Sequence, residues 1–188
     1  MLKVIAVILL LLLCTISYAE TPSATVYDFA IDKVRNGGVI PVEEVVNCSK
    51  AFIQYYDDLS VKNDTRNNNE FSENDRVEFY INAVKMAIID PTNHHAWPFR
   101  SELRFTVLNG LKKEIEQCND SFALFCSIFP ALDNGEQEYA VEAFKKLVER
   151  DEFLAKLTLQ WLINDYNRPK IKEQFLKAIE IEAGKSTP

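Results

Sequence analysis

The chain is sparing with the residues that build most active sites. Its 188 residues include five glycines, two histidines, two tryptophans and two methionines. None of the glycines forms a phosphate-cradling pattern, which argues against a nucleotide enzyme. There is no G-x-S-x-G turn to expose a nucleophilic serine, and no H-E-x-x-H or comparable spacing to pair the histidines on a metal. Alternation of apolar and polar residues, the mark of a half-buried strand, is missing. Positive charge is the minority sign: 21 Lys and Arg stand against 28 Asp and Glu, a net charge of −7. An acidic chain suits neither nucleic acid, which is held by neutralising its phosphates, nor an anionic membrane surface. It complements a basic protein partner.

The one long apolar run lies at the start. Lys3 precedes Val4–Leu13, and Ser17-Tyr18-Ala19 places small residues at the −3 and −1 positions of a cleavage site. This is the anatomy of a secretory signal peptide. The run is too short to cross a hydrocarbon core that takes roughly 20 apolar residues. The expectation is a leader over residues 1–19 and an exported chain from Glu20, periplasmic in a bacterium or secreted otherwise, with no stable membrane span. A lipoprotein would be cut before a cysteine that follows a small residue; Leu13 is large, so anchoring through Cys14 is not expected.

Beyond the leader remain Cys48, Cys118 and Cys126, an odd number. In an oxidising compartment one disulfide and one free thiol is the simplest arithmetic. Cys118 and Cys126 are the favoured pair; closing so short a loop stabilises by about 2–3 kcal/mol. Cys48 is then free, or the alternative partner of either. Three buried reduced thiols are the remaining reading. C-x7-C is not a zinc spacing.

Helical periodicity organises the rest. Val26, Phe29, Ala30 and Val34 recur at three-to-four spacing before Gly37-Gly38 stops the helix. Pro41, Glu43 and Glu44 open a second helix with two apolar faces, one through Val42, Val45, Val46, Ser49, Ile53 and Tyr56, the other through Cys48, Phe52, Tyr55 and Leu59; two such faces predict a sandwiched helix. Residues 60–74 are rich in Asn and Asp and read as a long, mobile loop, centred near 60–72. Ser72 and Asp75 form a capping box for a third helix through Val77, Tyr80, Val84 and Ile88, ended by Asp90-Pro91. A fourth begins at Ser101. Phe122–Phe129 is a short buried helix or a pocket wall, limited by Pro130. Asn134-Gly135, Asp151 and Asn164–Pro169 then separate three regular helices, whose short connections imply antiparallel neighbours. The expected fold is all-α: about seven helices after the leader, in one domain over residues 20–188, as a compact antiparallel bundle or a short helical-repeat-like array.

The densest polar and aromatic cluster is Asp90–Arg100, which holds both histidines, His94 and His95, together with Trp97 and Phe99. Neighbouring imidazoles suit acid–base or metal chemistry. Adjacent His side chains diverge, however, so a partner-contact loop is preferred to a metal or catalytic site. Cys126 sits among Phe122, Leu124, Phe125, Ile128 and Phe129, surroundings that raise a thiol pKa and disfavour a nucleophile. The leading functional expectation is an exported, non-enzymatic, cofactor-free protein-binding domain, of inhibitor or immunity type. A carrier for a lipid or other apolar molecule, using the Phe-rich segment, is the alternative. A hydrolase or metalloprotein using His94 and His95 is the third class.

Overall fold

The computed structural model describes residues 22–65, 72–93, 103–165 and 170–177. Regular structure there is helical: α1 (Pro22–Arg35), α2 (Val42–Thr65), α3 (Glu73–Ile89), α4 (Leu108–Cys118), α5 (Ser121–Asp133), α6 (Gln137–Arg150) and α7 (Glu152–Asp165), with α8 at residues 170–177. No strand occurs among the described residues, in keeping with the all-α periodicity. Residues 1–21, where the leader is expected, His94, His95, Trp97, Phe99 and the residues beyond 177 lie outside the described part.

Local chemistry sets most helix ends. At the end of α1, Gly37 takes φ 72°, and the Gly38 and Gly37 amides donate to Lys33 O and Val34 O at 2.8 and 3.0 Å. The same double closure ends α5, where Gly135 has φ 79° and Glu136 donates to Ala131 O at 2.8 Å. Ser72 caps α3: its Oγ accepts from the Asp75 amide at 3.1 Å, and Asp75 accepts from the Ser72 amide at 3.3 Å. Asp120 caps α5 by accepting from the Phe122 and Ala123 amides. Asp151 caps α7 by accepting from the Leu154 amide at 3.1 Å.

Two helices form the interior. α3 touches α1, α2, α4 and α5, while α5 touches α3, α4, α6 and α7. Both are therefore apolar nearly all round, with Val77, Phe79, Tyr80, Val84, Met86 and Ile88 buried on α3 and Leu124, Phe125, Ile128, Phe129 and Leu132 buried on α5. Each such side chain contributes about 1.5–3 kcal/mol through burial. Rings tie the layers together. Phe79 of α3 lies 5.4 Å from Phe52 of α2, Trp161 of α7 lies 5.3 Å from Phe125, and Phe144 of α6 stacks on Phe175 of α8 at 4.4 Å.

The structure corrects four expectations. α2 does not end at residue 60 but runs to Thr65, because extending an existing helix is far easier than starting one, even through polar residues. Pro130 does not stop α5, which continues to Asp133. The proline falls in the last turn, and its own carbonyl accepts from the Asn134 amide and Nδ2 at 3.0 and 2.8 Å. Ser101, the expected start of the fourth helix, lies outside the described residues; Leu103 is helical, the Thr106 amide and hydroxyl both turn back to Leu103 O, and α4 follows from Leu108. α2 is sandwiched only in part: Cys48, Phe52 and Leu59 are buried and Val45, Ser49, Tyr55 and Tyr56 half-buried, while Val42, Val46 and Ile53 face solvent. Finally, Cys48, Cys118 and Cys126 are all free thiols. Cys126 is turned into the core from α5, whereas Cys118 is exposed at the end of α4.

Candidate functional site

The solvent face of α2 carries the surface best suited to a partner. A rotation of about 100° per residue sets Val42, Val46 and Ile53 within roughly 40° of one another, in one line along the helix. They are 80%, 43% and 45% exposed. Along one edge of this line, and on the solvent side beyond it, are the exposed Glu43, Asp57 and Asp58, with Lys50 as the cation among them. Gln54 donates to Asp58 at 2.9 Å, steadying that carboxylate. The other edge holds the half-buried Ser49 and Tyr56, Tyr56 packing on Phe79.

The segment nominated by sequence begins beside this face. Asn93, the residue before His94, donates through Nδ2 to Ser49 Oγ at 3.1 Å. An Asx turn leads up to it, with Asp90 Oδ1 accepting from both the amide and the hydroxyl of Thr92. His94, His95, Trp97 and Phe99 themselves lie outside the described residues.

Beneath α2 the chemistry is closed rather than reactive. The Cys48 thiol is fully buried, and burial first, then the Glu44 carboxylate, pushes its pKa up. It points toward Val26 O at 3.9 Å, a weak contact. Tyr27 is equally buried, its hydroxyl has no hydrogen-bond partner, and its pKa is raised well above the ordinary phenol range, mainly by desolvation. The Tyr55 hydroxyl, raised by burial and by the neighbouring Glu78 carboxylate, behaves alike. A buried thiol whose pKa is raised by its surroundings serves packing better than nucleophilic attack. Lys33 bonds Glu44 at 2.5 Å and lies 4.6 Å above the Phe29 ring, sealing the α1–α2 junction.

Elsewhere the α5 phenylalanines fill space. Phe125 contacts both Phe122 and Phe129, and Phe125 and Phe129 contact Trp161, so these rings form core rather than the wall of an open cavity. Among the described residues no group of three or more His, Cys, Asp or Glu is placed to hold a metal, and no helix is long and apolar enough to cross a membrane.

The α2 face was only half legible in sequence. The apolar line is visible in the spacing of Val42, Val46 and Ile53, but spacing does not say whether a neighbouring helix covers it. Comparison of the chain with protein-family models, curated proteins and solved structures finds no match.

Proposed function

We propose that this chain is an exported, non-enzymatic binding protein whose α2 face docks a basic, amphipathic segment of another protein, acting as an inhibitor or immunity-type factor. The observation that carries the reading is the open line of Val42, Val46 and Ile53, three exposed apolar side chains set along one helix face, whereas Phe29, Ile163 and Leu176 are exposed singly on other helices. Apolar side chains supply contact area to such a partner, and charge supplies its sign. Glu43, Asp57 and Asp58 outnumber Lys50 on this helix surface, and the whole chain carries −7. A helix laid along α2 would set its own apolar residues on the valine–isoleucine line and its cations against the acids.

The test is copurification from the native compartment with the wild type and with a Val46→Asp/Ile53→Asp variant. Exposed positions tolerate such changes within about 0.5 kcal/mol, so the variant stays folded. The expected result is a basic partner held by the wild type and lost from the variant. Retention of the same partner by both proteins, or a partner that is acidic, overturns the reading. Mass spectrometry of the same material reads the mature N-terminus, expected at Glu20.

A further inference from the structure

The connection between α1 and α2 holds the two most exposed large apolar side chains of the described residues. Val39 is 90% and Val42 80% exposed. Residues 36–42 carry no charged side chain, in a chain of which 26% is charged. Sterics set the path of this segment. The residue before a proline is pushed out of the helical region, which makes Ile40 extended ahead of Pro41, and β-branching favours the same at Val39.

Both ends of the connection are fastened. The Gly38 amide donates to Lys33 O at 2.8 Å and closes α1, while Pro41 O accepts from the Glu44 and Val45 amides at 2.9 and 3.1 Å and opens α2. Ile40 is half-buried and packs on the core. Between these fastenings the backbone is unused. The amides of Val39 and Ile40 and the carbonyls of Gly38, Val39 and Ile40 make no hydrogen bond among the described residues. The segment thus offers two donors, three acceptors and one projecting side chain, in a shape already set by its flanks. Little conformational freedom is left to lose on binding.

Free main-chain groups flanking an outward side chain suit a partner that reads an extended chain. Addition to a sheet edge is a poor match, because strands take about five or six residues and only Gly38–Ile40 carry unused groups here. The substrate cleft of a peptidase needs less: a few main-chain contacts and one side chain in a specificity pocket. We infer that Val39 enters the specificity pocket of an endopeptidase that takes small aliphatic side chains, with Gly38–Pro41 lying in its cleft as a mimic of substrate. The flanks stay fastened to α1 and α2, so the segment fills the cleft without leaving as product. This rests on the inhibitor reading proposed above and names the class of enzyme inhibited. It uses the α1–α2 connection and not the exposed line along α2.

The experiment assays the full chain against an elastase-type serine peptidase, trypsin and chymotrypsin, each with a small chromogenic substrate. The expected result is competitive inhibition of the elastase-type enzyme with an inhibition constant below about 10 μM. Val39→Gly should weaken it at least about tenfold. Val39→Arg should weaken it likewise and create inhibition of trypsin, whose pocket carries an aspartate. Val39 is too exposed for either change to disturb the fold, and equal melting temperatures check this. Val46→Asp/Ile53→Asp should inhibit as the wild type does, within about twofold. Gel electrophoresis should show the chain still intact after the assay. The inference is overturned if none of the three enzymes is inhibited at about 100 μM, or if the wild type inhibits only trypsin or chymotrypsin. Cleavage of the connection within minutes overturns it too, as does a Val39→Arg variant with unchanged enzyme preference. Inhibition lost in the Val46→Asp/Ile53→Asp variant but kept in Val39→Gly overturns it while leaving the α2 reading standing. The converse result supports it whether or not a basic partner is found for α2.

Discussion

Arg35, the last residue of α1, donates through Nη1 to the carboxylate of Asp151, the cap of α7, at 2.6 Å across 116 residues of chain. The Asp151 side chain is 7% exposed and that of Arg35 36%. One carboxylate therefore closes a helix start and fastens the first helix to the seventh. The guanidinium also lies 5.3 Å from the Phe153 ring, so the junction is apolar on one side.

Asp151→Ala removes both roles and should destabilise the protein by about 2–4 kcal/mol, the cap contributing about 1 kcal/mol and the pair the rest. Asp151→Asn keeps an oxygen for the Leu154 amide and loses only the charge, so its cost should be near half as large. Urea denaturation of the two variants checks the order. Equal losses would mean that the charge contributes nothing.

Gly110→Ala should destabilise by about 1–3 kcal/mol, although alanine is the better helix former by up to about 1 kcal/mol. The new Cβ meets Val77 Cγ2 at 2.4 Å. Adding Val77→Ala makes room for it, so the double variant should be more stable than the sum of the two single losses predicts. A double-mutant cycle from thermal melts measures this coupling.

Thiol labelling should separate the three described cysteines. Cys118 is exposed and should react in the native state, whereas Cys48 and Cys126 are buried and should react only on unfolding. Peptide mapping after a short pulse of iodoacetamide reads the pattern. Rapid native labelling of Cys126, or a mass loss marking a Cys118–Cys126 bridge, would contradict the geometry.

Stability should fall in alkali. The folded pKa values of Cys48, Tyr27 and Tyr55 are raised above 9.0 for the thiol and 10.0 for the phenols. Protons therefore leave the unfolded chain first as pH rises, and the folded state loses ground from about pH 9 upward. Below that range these groups contribute no slope. Tyr27→Phe should flatten the decline and leave neutral-pH stability unchanged or slightly higher, since the hydroxyl it removes has no partner. Denaturation midpoints at neutral and alkaline pH test both statements.

Much of the frame can be read from local signals. Ser72 with Asp75, Asn134-Gly135 and Asp151 each mark a helix boundary that the structure uses, because capping depends on residues only a few places apart. Features that depend on cooperative or distant effects were harder to read. The polar stretch from Ser60 reads as loop by composition, yet helix propagation carries α2 through Thr65. Asn82 drops out of any apolar stripe, and only the burial of Phe79, Ala83 and Met86 around it shows that an amide has been placed inside. Arg35 and Asp151 carry no mutual signal at all. Their meeting is a product of the whole packing, as is the exposure of Val42, Val46 and Ile53.

The position of α3 has a dynamic consequence. Because it packs against α1, α2, α4 and α5, neither half of the molecule can detach without stripping a face of this helix. Its backbone amides should exchange with deuterium only through opening of the entire chain, so the slowest-exchanging protons of α3 and α5 should report one common free energy.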